Sequence, residues 1–262
     1  MTPRDEFLAR LDPKAHIVQL YRDPAILRDS VGRYLSDGFL SGDAAVVIAT
    51  RDHWNDFRRE LEARDLDPSR MQQEGRLAVL DARTTLDAFM RRGMPDEMLF
   101  HGAVGPVLSA LTATGAPNIR AYGEMVSLLW SDRNFEAAVR LEELWNELSR
   151  RSSFTLLCAY EGDPLAPEFH GLPAESVFLQ HSHVVPTEDA ERLNRAVNQA
   201  MDEVLGKAEA DALRPLIAAT QRRAATLSSA QATLIWLQSN LPRHVKAVLA
   251  AARRLSAAHR SN

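Results

Sequence analysis

Tyr122-Gly-Glu-Met-Val-Ser-Leu-Leu-Trp130, followed by Arg140-Leu-Glu-Glu-Leu-Trp145 and Phe154-Thr-Leu-Leu-Cys-Ala-Tyr160, reads as strand, tight turn, two-part helix and strand. The reading places Gly123 and Glu124 where a parallel strand hands over to a helix. In open α/β sheets that edge is where ligands bind. Working towards the N-terminus, Leu77-Ala-Val-Leu80, Ala44-Ala-Val-Val-Ile-Ala-Thr50 and His16-Ile-Val-Gln-Leu-Tyr21 are short apolar runs with the character of strands covered on both faces. Between them, Ile26 to Leu40, His53 to Asp65 and Thr84 to Arg92 carry apolar residues at near-helical spacing, the last with Gly93 as its expected stop. Asp96 to Thr114 is expected to be helical with a kink or break at Gly102, Gly105 and Pro106. Ser176 to Leu179 is a candidate edge strand. Strands alternating with helices of this length predict an α/β fold, with a mostly parallel sheet and helices on both faces.

From Thr187 onward only helical spacing remains. Leu193, Val197, Met201 and Val204 line one face. Leu213, Ile217, Thr220, Ala224, Leu227, Gln231, Leu234, Gln238 and Leu241 then alternate steps of four and three, a heptad run that predicts a helical hairpin or a dimer seam. Pro242 opens a final helix with Val245, Val248, Ala252 and Leu255 inward. The expected division is an α/β domain at 14–187 and a basic C-terminal α-helical extension at 188–262.

Charge is unevenly spread. Of 31 Lys and Arg, eight follow Asp211, whereas all 35 Asp and Glu lie at or before it; the first 211 residues therefore carry −12 and the rest +8. A basic helical arm against an acidic body or partner is the expected reading, with nucleic acid or anionic lipid as the alternative. A single cysteine, Cys158, excludes an intramolecular disulfide and fits a reducing compartment. The polar start and the lack of a long apolar run make a cytoplasmic protein with no membrane segment the expectation.

Six motifs in one order, His16-x-x-Gln19-x-Tyr21, Tyr122-Gly-Glu124, Leu128-Leu-Trp130, Arg140-Leu-Glu-Glu-Leu-Trp145, Leu157-Cys-Ala-Tyr160 and His181-Ser-x-Val184-x-Pro186, resemble the MEDS domain, the sensory domain of methanogens, methylotrophs and the dichloromethane-responsive regulator. The resemblance implies a RecA/KaiC-like fold and a sensory role in bacterial or archaeal signalling, with small molecules such as hydrocarbon derivatives detected. It also implies a histidine kinase or transcriptional regulator as output partner. With 13 residues before position 14 and 75 after position 187, neither a helix-turn-helix nor a kinase module is expected in this chain. Output is then expected through the C-terminal helices, as a homodimer or onto another protein.

Candidate ligand-binding residues are His16, Gln19, Tyr21, Tyr122, Gly123, Glu124, Trp130, Glu142, Tyr160 and His181. A RecA-like ATPase needs G-x-x-x-x-G-K-[ST], whose amides and lysine hold the phosphates. The segment after the first strand, Arg22-Asp-Pro-Ala-Ile-Leu27, has neither glycine nor lysine, so ATP hydrolysis is not expected and no cofactor is implied. Each candidate also has a plainer reading. Gly123 would serve a tight turn and Glu124 would cap the helix that follows it. The tyrosines and tryptophans would be core, and His16 and Gln19 would be hydrogen-bonded inside the sheet. Cys158 reads as a small core residue with no base beside it, and His181, His183 and Glu188 do not form a metal-ligand spacing. The expectation is a non-catalytic sensor. A scaffold acting through the basic tail, on nucleic acid or a regulator, and a degenerate nucleotide-binding protein are the alternatives.

Overall fold

The computed structural model describes residues 3–9, 11–169, 172–186, 190–223 and 228–258. The chain forms two compact units, Met1–Glu161 and Gly162–Asn262. The first contains α1 (Pro3–Ala9), β1 (His16–Tyr21), α2 (Pro24–Leu40), β2 (Ala44–Ala49), α3 (Arg51–Glu62), α4 (Pro68–Gln73), β3 (Leu77–Asp81) and α5 (Ala82–Phe89). It continues with the hairpin β4 (Met90–Arg91) and β5 (Met94–Pro95), then α6 (Glu97–Thr112), β6 (Ile119–Gly123), α7 (Met125–Ser131), α8 (Phe135–Arg151) and β7 (Thr155–Glu161). Its parallel strands lie side by side in the order β3-β2-β6-β7-β1. Every residue of β1 and β2 is buried, which is why these strands read as unbroken apolar runs.

The strand order fixes where a crevice opens. The chain steps outward from β1 to β2 to β3, then returns through β6 to β7. Right-handed crossovers therefore put α2 and α3 on one face and α5, α6 and α8 on the other. Contacts agree with this. On the first face, the Tyr34 hydroxyl of α2 donates to the Thr155 carbonyl at 2.7 Å and Phe57 of α3 meets Tyr122 edge-on at 5.1 Å. On the second, Trp145 of α8 packs edge-on against Phe100 of α6 at 5.1 Å. Helices leaving the adjacent strands β2 and β6 depart to opposite faces, so the switch point lies between their carboxyl ends.

Several expectations change. Residues 84–92 do not form one helix stopped by Gly93: α5 ends at Phe89, and Arg92 and Gly93, with φ of 52° and 83°, form the turn of the β4–β5 hairpin. No break divides α6, which runs through Gly102, Gly105 and Pro106 from its Asp96 cap.

The second unit contains a short 3-10 turn (Pro167–Phe169), α9 (Leu172–Gln180), β8 (His183–Val184), α10 (Ala190–Leu205), α11 (Lys207–Arg223), α12 (Ser229–Asn240) and α13 (Pro242–Ala258). Ser176–Leu179 is helical, not a strand: Ala174, Val177 and Phe178 are buried at spacings of three and four, a helical stripe that a four-residue window conceals. The heptad run is not a single seam either. Ser228 caps α12 and Gln231 closes the capping box, so a counted seam position ends up as a helix start. Gln238 is exposed, Leu213 is half-buried, and Ala224 and Leu227 lie outside the described residues. The most extensive packing among the described residues of this unit joins α10 to α13, and both helices bury small residues, Ala196 and Ala200 on α10 and Ala251 and Ala252 on α13. Tail cations are engaged within the unit. Arg214 pairs with Asp202 at 2.7 Å, Arg254 pairs with Glu203, and Arg253 donates to the Leu165 carbonyl at 3.0 Å. Among the described residues no helix is long and apolar enough to cross a membrane.

Candidate functional site

Two clusters of polar side chains lie inside the first unit, on opposite faces of the sheet. At the carboxyl edge, Glu124 follows β6 directly and sits at the switch point between β2 and β6. Its carboxylate, 3% exposed, accepts hydrogen bonds from the Thr50 amide at the start of α3, from His53 Nδ1 at 2.5 Å and from the Tyr122 hydroxyl at 3.0 Å. The expectation that Glu124 caps its own helix is wrong: its side chain makes no bond to the start of α7 and bridges instead to α3. A carboxylate at that helix start is favoured by the amide dipoles. His53 stacks on Phe57 at 5.9 Å and meets the Tyr21 ring at 6.4 Å, so aromatic rings flank the carboxylate.

Electrostatics follow from this packing. The hydrogen bond to Glu124 raises the His53 pKa, against the opposing effect of burial. Burial first, then the Glu124 charge, pushes the Tyr21 and Tyr122 hydroxyls up, so both remain donors. The neighbouring strand ends are acidic as well. After β1, Asp23 accepts from the Ala25 amide at 2.8 Å, with Pro24 removing a donor from the start of α2. After β3, Asp81 accepts from the Thr84 amide at 2.8 Å. Glu161 closes β7 beside Tyr21 in the register. The starts of α2, α3 and α5 on this edge are therefore already met by the chain's own carboxylates.

The second cluster lies beneath β1 and β7, against α8. Alternation along the strands sends His16 from β1, and Cys158 and Tyr160 from β7, to the α8 face. There Glu142, with no exposed surface, accepts from the Tyr160 hydroxyl at 2.6 Å and from the Cys158 thiol at 3.4 Å. His16 Nε2 lies 3.2 Å from Glu142 Oε2 and 3.4 Å from Cys158 Sγ, while Nδ1 faces the Asn146 amide oxygen at 2.9 Å. Burial, then Glu142, pushes the Cys158 thiol well above its ordinary range. Trp130 packs edge-on against Tyr160 at 5.5 Å.

The candidate residues thus fall into separate places. Tyr21, Tyr122 and Glu124 meet at the edge; His16, Glu142, Tyr160 and Trp130 gather under the opposite face. Gln19 points to α2, donating to Ser30 at 2.9 Å. Gly123 is the last residue of β6, has no positive φ, and a Cβ there would come no closer than 3.8 Å to Trp145, so it serves no tight turn. His181 belongs to the second unit, its Nδ1 2.7 Å from the Val177 carbonyl at the end of α9. Sequence reasoning missed His53, Thr50 and Phe57; the signal was a histidine in the first turn after the most apolar strand. It also missed Asn146, one turn beyond Glu142, and the histidine beside Cys158. A surface hollow of about 480 Å³, lined by Asp96, Glu97, Met98, His101 and Arg151, shares no residue with either cluster.

Fold and site define the class: an α/β protein with a parallel sheet and, at its switch point, a buried carboxylate flanked by aromatic rings. The chain belongs to the MEDS family, the methanogen/methylotroph, DcmR sensory domain, whose model matches residues 15–170. No curated protein matches the sequence significantly.

Proposed function

We propose that this chain is a non-catalytic cytoplasmic sensor that captures a small neutral or cationic molecule at the carboxyl edge of its first unit. The signal would pass through the C-terminal helices to a histidine kinase, a transcriptional regulator or a second copy. One observation carries the reading: Glu124 joins β6 to the start of α3 across the switch point, with His53, Tyr21, Tyr122 and Phe57 around it. A ligand that competes for Glu124 or His53 changes how α3 is held. Such a ligand shifts the equilibrium only by its difference in affinity for the two arrangements.

The same geometry argues against an anionic ligand. A phosphate bound in RecA-like fashion needs free backbone amides at a helix start. Here Asp23 and Pro24 occupy that place on α2, and Glu124 occupies it on α3. Catalysis by Cys158 is disfavoured because the thiol has no exposed surface and burial keeps it protonated. The nucleic-acid alternative gains nothing from Arg214 and Arg254, which pair with acidic residues of α10.

The test is thermal melting of the full chain against a panel of alcohols, amines, haloalkanes and nucleotides. A true ligand at about a hundredfold its Kd stabilises by ~2.7 kcal/mol. The expected hit is neutral or cationic and is lost in Glu124→Gln. A response confined to nucleotides contradicts the proposal.

A further inference from the structure

We propose that His16, Glu142 and Cys158 form a binding site for one borderline divalent metal ion of the zinc class, separate from the carboxyl-edge cluster. The three atoms Nε2, Oε2 and Sγ make a nearly equilateral triangle with sides of 3.2, 3.4 and 3.4 Å. A tetrahedral zinc-class ion, with bonds of about 2.0–2.2 Å to nitrogen or oxygen and about 2.3 Å to sulfur, separates its ligand atoms by roughly 3.3–3.6 Å. The triangle needs almost no rearrangement to accept it.

Hydrogen bonding alone also serves this triangle. The Asn146 amide oxygen faces His16 Nδ1, which places a proton there and directs Nε2 at the other two atoms. Nε2 then carries either a lone pair or one further proton, and Sγ carries one. Two protons at most are then shared among the three atoms, both within reach of Glu142 Oε2. A cation satisfies all three atoms together. The surroundings also have the form of a metal site: Asn146 holds the far nitrogen of the ligating histidine, and the Tyr160 hydroxyl holds the far oxygen of the ligating carboxylate at 2.6 Å. Mixed nitrogen, oxygen and thiolate ligands suit zinc, cobalt or iron rather than magnesium or calcium. On binding, the sulfur–metal bond forms and the Sγ proton leaves to solvent. Three protein ligands leave a fourth position for water or another donor.

Cobalt provides a direct test, because Cys158 is the sole cysteine and any thiolate-to-cobalt charge-transfer band must come from it. The full chain, stripped with chelator and kept reduced without thiols, is titrated with Co²⁺ and then Zn²⁺. A near-ultraviolet band saturating at one equivalent and bleached by Zn²⁺ is expected. Asn146→Leu should weaken Zn²⁺ by about 10–100-fold while keeping the band, and Asn146→Asp, which retains an acceptor, should restore affinity. Cys158→Ala should abolish the band and the rise in melting temperature given by Zn²⁺. If that variant does not fold, the wild-type spectrum decides alone. A folded wild type with no band, or a band that Zn²⁺ does not displace, overturns the site. Neither result bears on Glu124.

Discussion

Glu124 and Glu142 are the same chemical group, each buried and each accepting from a tyrosine and facing a histidine, yet they hold the fold in different ways. Glu124 has a backbone amide at a helix start among its donors, and its His53 partner keeps a quarter of its side chain in solvent. Glu142 is met by the side chains of Cys158 and Tyr160 from β7 and of His16 from β1, with no exposure. A carboxylate at an open edge can exchange a partner for water or a ligand at modest cost. One in a closed interior cannot, since every group it releases is left unsatisfied. The edge is thus suited to respond, and the interior to remain fixed or to hold an ion.

The largest effect expected is that of Glu142→Ala. It strands the Tyr160, Cys158 and His16 donors in a dry region and should cost about 3–5 kcal/mol in urea unfolding followed by tryptophan fluorescence. Glu124→Gln keeps the shape and leaves nearby water to help its partners, so about 1–3 kcal/mol is expected. Equal losses at the two positions would erase the contrast between them.

A smaller effect is set by pH. Because the folded state raises the His53 pKa above 6.5, His53 contributes stability that is fully present below about 6.5 and fades as pH rises through the folded value. Melting temperature should fall over that rise, and His53→Gln should flatten the slope. The smallest effect is expected from Gly123→Ala. An extended backbone and a nearest contact of 3.8 Å allow the methyl group, so stability should stay level or rise by up to about 1 kcal/mol. A drop in ligand response without a drop in stability would place the ligand against that strand end.

The sheet was legible because buried parallel strands write themselves as runs such as Ala44–Ala49, and the placement of Tyr21, Tyr122 and Glu124 at strand ends followed from those runs. The helix from Phe135 was legible from its stripe, but Glu142 sat at the stripe's border, and only the strand pairing brings His16 and Cys158 beneath it. His53 lay hidden in the polar run Arg51-Asp-His-Trp-Asn-Asp56, whose contact with Glu124 spans 71 positions. The second unit misled for a different reason. Heptad spacing continued across Ser228, where a side-chain cap starts a new helix, and spacing alone does not register caps.

Hydrogen exchange at Thr50–Phe57 follows the hold of Glu124 on α3 in the intact chain. A neutral or cationic ligand found by melting should change exchange there in the wild type and leave Glu124→Gln unaffected. Protection appearing instead at the start of α2 on adding Mg²⁺ and ATP would mean that the edge grips phosphate, and that a receptor for small uncharged or cationic molecules had been misassigned.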